Sequence, residues 1–90
     1  MWFDTYEALD FLGGKLTYIL DDDEDMMEIR YDDGMLIDVG YIHHDKLYYI
    51  TVVKSDTPKN WESPLAVIEV RDKRCLHPNI QEAIFQYRNE

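Results

Sequence analysis

Residues 26–42 read Met-Met-Glu-Ile-Arg-Tyr-Asp-Asp-Gly-Met-Leu-Ile-Asp-Val-Gly-Tyr-Ile, two alternating stretches around Asp32-Asp33-Gly34. Aspartate and glycine between β-rich stretches mark a hairpin, and the loop length decides which residues face each other. A two-residue loop at Asp33-Gly34 sets Ile29 opposite Asp38. A three-residue loop with Gly34 in the left-handed conformation sets Ile29 opposite Ile37 and Met27 opposite Val39. A one-residue slip moves every side chain to the other face, so the register that keeps the apolar residues together is the expected one. It carries a cost: Glu28 then stands opposite Asp38, a like-charge pair that Arg30 on the same face offsets in part.

The pattern extends on both sides. Strands are expected at 15–20, 26–31, 35–42 and 47–54, each rich in β-branched or aromatic residues and separated by turn residues. One face of this sheet collects Ile19, Met27, Ile29, Ile37, Val39, Tyr41, Ile50 and Val52. The other collects Tyr18, Glu28, Arg30, Leu36, Asp38, Ile42, Tyr49 and Thr51. A fifth strand is expected at 65–71. Residues 55–64, containing Pro58, Trp61 and Pro64, read as the longest loop.

Helices are expected at the two ends. Over residues 4–12, Asp4 or Thr5 suits the N-cap and Glu7 the first turn, and Gly13-Gly14 end the segment. A second helix opens at His77-Pro78, where Ile80, Ala83, Ile84 and Tyr87 recur at helical spacing. The expected fold is α+β, a single domain over 1–90. An antiparallel meander of four to five strands has the N-terminal and C-terminal helices packed on one face.

The 90-residue chain buries about 60–65% of its unfolded surface, enough for one core. Its 46% hydrophobic content argues against disorder despite a net charge of −10. The lone Cys75 forms no internal disulfide, which fits a reducing compartment. The start of the chain lacks a signal-peptide pattern, and no apolar stretch reaches the ~18–20 residues of a membrane span. The expectation is a cytoplasmic protein that neither enters membranes nor binds anionic lipid.

Charge is unevenly placed. Residues 1–45 carry 13 acids and 2 bases, whereas residues 46–90 carry 6 acids and 7 bases. Five consecutive acids, Asp21-Asp22-Asp23-Glu24-Asp25, lie between the first two strands, and residues 21–38 hold 9 acids against Arg30. Such a field attracts basic surfaces and repels nucleic acid, so direct nucleic-acid binding through Arg71, Lys73 and Arg74 is not expected. Alternate residues of a strand are ~6.8 Å apart, close to two phosphate steps of ~3.4 Å each. A carboxylate-lined hairpin therefore has the spacing of a phosphate track. A solvated loop that serves only solubility is the plain reading of the same residues.

Other constellations lack their chemistry. Asp21, Asp23 and Asp25 match three positions of an EF-hand loop, but Met26 replaces its glycine, Asp32 its terminal glutamate, and strands flank it. His43-His44-Asp45 and the Cys75/His77 pair fall short of a ligand set and read as turn histidines and a buried or half-buried thiol. No nucleophile elbow, phosphate loop or H-E-x-x-H occurs. The expectation is a non-enzymatic protein with no catalytic residues, metal or cofactor. Its basic protein partner, such as a nuclease or a nucleic-acid-binding protein, is bound through Asp21, Asp22, Asp23, Glu24, Asp25, Glu28, Asp32, Asp33 and Asp38. Trp61 reads either as a lid over the open end of the core or as an interface anchor. Nucleic-acid mimics, anti-restriction and anti-CRISPR proteins of phage or prophage, and immunity proteins use this logic as classes. The alternative is an accessory domain, a homodimer through the Tyr18/Tyr49 face, whose acidity only keeps it soluble.

Overall fold

The structure is a computed structural model describing residues 9–19 and 26–88, with backbone only for Tyr18 and Ile19. Five antiparallel strands form one sheet in sequence order: β1 Lys15–Ile19, β2 Met27–Arg30, β3 Leu36–Ile42, β4 Leu47–Val53 and β5 Ala66–Val70. Two helices complete the described chain, α1 Pro58–Glu62 and α2 Leu76–Arg88, the second preceded by a 3-10 turn at Lys73–Cys75.

The β2–β3 hairpin has the three-residue loop. Gly34 has φ +97°, its N–H donates to the Tyr31 carbonyl (3.0 Å), and the Tyr31 N–H donates to the Met35 carbonyl (3.0 Å). Ile29 stands opposite Ile37, Met27 opposite Val39, and Glu28 opposite Asp38. Apolar residues continue this alignment across β4 and β5, as in the row Met27, Val39, Ile50, Ile68. The opposite face carries the row Glu28, Asp38, Thr51, Val67, which crosses from β2 to β5. In β1 the register shifts between Leu16 and Tyr18, so Thr17 forms a bulge.

Helix α2 covers the apolar face. Leu76, Ile80, Ala83 and Ile84 are buried against a core that includes Ile29, Ile37, Val39, Ile50 and Val52. This helix begins at Leu76 rather than at His77-Pro78. The Asp72 side chain accepts the Arg74 N–H (2.9 Å) and starts the 3-10 turn, so Pro78 falls within the first turn of α2, where a missing N–H costs little.

Two expectations need correction. Residues 55–64 are not simply a loop, because Thr57 caps α1 by accepting the Asn60 N–H and Pro58 occupies its first turn. Threonine followed by proline is a helix-start signal. The N-terminal helix is not part of the described fold: residues 1–8 lie outside the described residues, and Leu9–Leu12 are not helical. Leu12 instead has φ +51°, and the Gly14 N–H closes a turn onto the Phe11 carbonyl (3.1 Å). The structure is thus α+β with one long helix. None of its helices is long and apolar enough to cross a membrane, among the described residues.

Candidate binding surface

The face of the sheet away from α2 holds the candidate residues that strands position. Glu28 and Asp38 are adjacent on β2 and β3, both partly buried, as the hairpin register requires. Like charges there are tolerable only with partners. The Glu28 carboxylate accepts from Arg30 Nε (2.8 Å) and from Thr17 Oγ1 (3.3 Å). The Thr17 bulge therefore brings a hydroxyl over β2, and Arg30, two residues along the strand, supplies the offsetting cation.

Asp32 and Asp33 occupy the β2–β3 turn and are exposed. Their circumstances differ. Asp33 Oδ2 accepts from Arg88 Nη1 at 2.7 Å, from the end of α2. That bond, with one from the Met35 N–H, lowers the Asp33 pKa below the usual carboxylate value. The Arg88 guanidinium also lies 4.1 Å from the centroid of the Tyr31 ring. Tyr31 donates its hydroxyl to the Phe11 carbonyl (2.7 Å), and burial pushes its pKa up to about 12, against the opposing charge of Arg88.

Asp21, Asp22, Asp23, Glu24 and Asp25 lie outside the described residues; they belong to the connection between β1 and β2. The described part of the acidic stretch is thus a mixture. Arg30 and Arg88 engage Glu28 and Asp33, whereas Asp32 projects from the turn. The arginine at position 88 was outside the reach of the sequence reading, because its partner lies 55 residues away.

Trp61 does not fit the reading as a lid over the core. It sits on α1, 37% exposed, with its indole N–H donating to Asp56 Oδ1 (2.8 Å). It is not a buried lid. Asp56 also approaches Arg30 Nη2 (3.8 Å), which ties this segment to β2 beside the row Arg30, Leu36, Val53. Leu36 and Val53 are buried there although they lie on the face opposite α2. Farther along that face, Tyr49 stays partly exposed beside Glu69, and burial followed by the Glu69 and Asp45 charges raises its pKa. Cys75, expected to be buried or half-buried, is exposed on the 3-10 turn. His43 stacks edge-on against Tyr41 with centroids 4.8 Å apart, in the β3–β4 turn region.

Among the described residues there is no enclosed pocket and no group of three or more His, Cys, Asp or Glu side chains positioned around a common ion. The surface offers an extended, mixed polar and apolar sheet face, with Glu28, Asp32, Asp33 and Asp38 on β2, β3 and their turn. Comparison with protein-family models, with curated proteins and with solved structures finds no match for this chain.

Proposed function

We propose that this chain is a small non-enzymatic binding protein that engages a basic protein partner through the acidic margin of its sheet. The partner class that suits this chemistry is a nuclease or another nucleic-acid-binding protein, whose phosphate-binding surface is basic. The mode of action is occlusion, as in nucleic-acid mimics, anti-restriction and anti-CRISPR proteins and immunity proteins. The observation that supports the reading most is the Glu28–Asp38 adjacency. It carries the acidity of residues 21–25 onward along two strands, and solubility alone does not require a carboxylate pair facing across a hairpin. Glu28 and Asp33 contribute less than a formal count suggests, because Arg30 and Arg88 engage them. Most of the attraction is assigned to Asp21, Asp22, Asp23, Glu24, Asp25 and Asp32, with Asp38 at the inner end and Trp61 as a flanking apolar contact.

That same neutralisation favours a second reading, in which the acids keep the domain soluble and take no part in recognition. One experiment separates the two. The immobilised protein is exposed to a lysate of its source cells at low salt, and the retained proteins are identified. Capture of a basic protein that is released by salt, and lost when residues 21–25 become Asn and Gln, supports the proposal, since rim charges act through screened long-range attraction. Retention indifferent to both salt and neutralisation sinks it.

A further inference from the structure

We propose that β5 is an association edge, pairing antiparallel with β5 of a second copy so that two five-stranded sheets become one of ten strands. Among the described residues, the strand order leaves β1 and β5 at the margins of the sheet. An edge strand presents alternate backbone N–H and C=O groups that lack a sheet partner, and proteins blunt such edges with bulges, prolines and inward charges. The β1 edge is blunted by its bulge at Thr17 and begins with Lys15. The β5 edge is not: Ala66–Val70 pairs with β4 in five unbroken steps and contains no proline. Its one charged residue, Glu69, lies on the face opposite α2, where Val67 is 52% exposed.

Charge indicates a second copy as the occupant. The sheet order puts Glu28, Asp32, Asp33 and Asp38, on β2, β3 and their turn, away from the β5 edge. Residues 66–74 contain Glu69 and Asp72 with Arg71, Lys73 and Arg74, a slightly basic stretch at the opposite margin. Two copies of a −10 chain therefore repel least when they meet through β5. With strands ~4.8 Å apart, the two β2 strands of such a pair stand roughly 34 Å from each other. That is several times the Debye length of ~8 Å at physiological salt.

The side chains select a register. Pairing centred on Ile68 aligns all five residues of each strand. On the α2 side it places Ile68 against Ile68 of the second copy and Ala66 against Val70. On the other face it places Val67 against Glu69, so no like charges are opposed. A shift of two residues in either direction leaves three aligned pairs, and one of these shifts sets Glu69 against Glu69. An interface built on five-residue strands falls below the ~1,200 Å² of standard complexes, so the dimer is a weak, reversible one.

Sedimentation equilibrium of the whole chain, from micromolar to millimolar concentration at physiological and at molar salt, tests this. The expected result is a closed monomer–dimer equilibrium that high salt does not weaken. Val67→Glu sets two new like-charge pairs against Glu69 and is expected to weaken the dimer about tenfold. Val67→Lys keeps or tightens it, and the double variant Val67→Glu/Glu69→Lys restores it. Circular dichroism of each variant verifies the fold. Three results overturn the inference: a monomer throughout, a dimer that Val67→Glu leaves unchanged, or an open-ended series that dissolves in high salt. The proposed acidic recognition stands or falls separately, because Val67→Glu leaves salt-sensitive capture of a basic partner intact.

Discussion

Gln81 and Asp10 clasp each other across 71 residues of chain: the Asp10 N–H donates to Gln81 Oε1 (2.7 Å) and Gln81 Nε2 donates to the Asp10 carbonyl (2.9 Å). One side chain of α2 thereby satisfies both backbone groups of a residue that no strand or helix serves. Exposed hydrogen bonds contribute ~0.5–1.5 kcal/mol each. Gln81→Leu is expected to lower stability by about 1–2 kcal/mol in urea titration. An unchanged midpoint and slope mean that the clasp is only a surface contact.

Gly14 is required by space. A Cβ there meets Ile29 Cγ2 and Tyr31 Cε1 and Cζ, each at 2.6 Å. Both neighbours are buried, so they have little room to yield. Gly14→Ala is expected to cost ~1–3 kcal/mol, the range of overpacked cores. Gly13→Ala has open space but φ +91°, and its cost is the backbone strain of a left-handed alanine, about 1–2 kcal/mol. Combining either change with Tyr31→Ala distinguishes them by denaturant unfolding. The deletion relieves the Gly14 variant, whereas the Gly13 penalty stays additive.

The Asp33–Arg88 bond sets an acid limit. The folded-state pKa of Asp33 is lowered, chiefly by its bond to Arg88, so its stabilising effect is present above the unfolded carboxylate pKa of about 4 and is lost as pH falls through the folded value. Thermal unfolding from neutral to strongly acidic pH is expected to separate wild type from Asp33→Asn at neutral pH, with the two curves converging in acid. A gap that stays constant with pH rules this linkage out.

Tyr31 sets an alkaline limit. Burial holds its hydroxyl neutral up to a pKa of about 12, so its contribution is full below the unfolded value of 10.0 and is lost as pH rises towards 12. Phenolate absorbance should show the tyrosine step near 12 disappear in Tyr31→Phe. Loss of the hydroxyl bond to Phe11 also lowers neutral-pH stability. If every phenol of the native protein ionises together near 10, the hydroxyl is not buried in this way.

Neighbouring residues of α2 test which stripe packs. Ile84 is buried completely, whereas Phe85 is 43% exposed. Ile84→Ala is expected to cost ~2–5 kcal/mol. Phe85→Ala, at the surface, is expected to stay within about 0.5 kcal/mol of wild type. Reversed magnitudes in chemical denaturation contradict the packing of the helix.

Residues 26–42 determined by themselves the hairpin, its three-residue turn and the Glu28–Asp38 adjacency. Strand alternation has a period of two and the turn type follows from Asp-Asp-Gly, so both are short-range properties of the chain. The apolar stripe of α2 was legible for the same reason: helical spacing needs no knowledge of what the helix covers. Tertiary structure alone decided the rest. It places β5 at the margin of the described sheet, away from β2, brings Arg88 onto Asp33 and Tyr31, packs Gly14 against Ile29, and brings Asp56 beside Arg30. Each of these depends on atoms distant in the chain meeting at van der Waals or hydrogen-bond range, which periodicity does not encode. The acidic stretch shows the division most clearly. Its charge, its register and the Arg30 beside Glu28 are written in the sequence, whereas the neutralisation of Asp33 by Arg88 is set by how α2 docks against the β2–β3 turn.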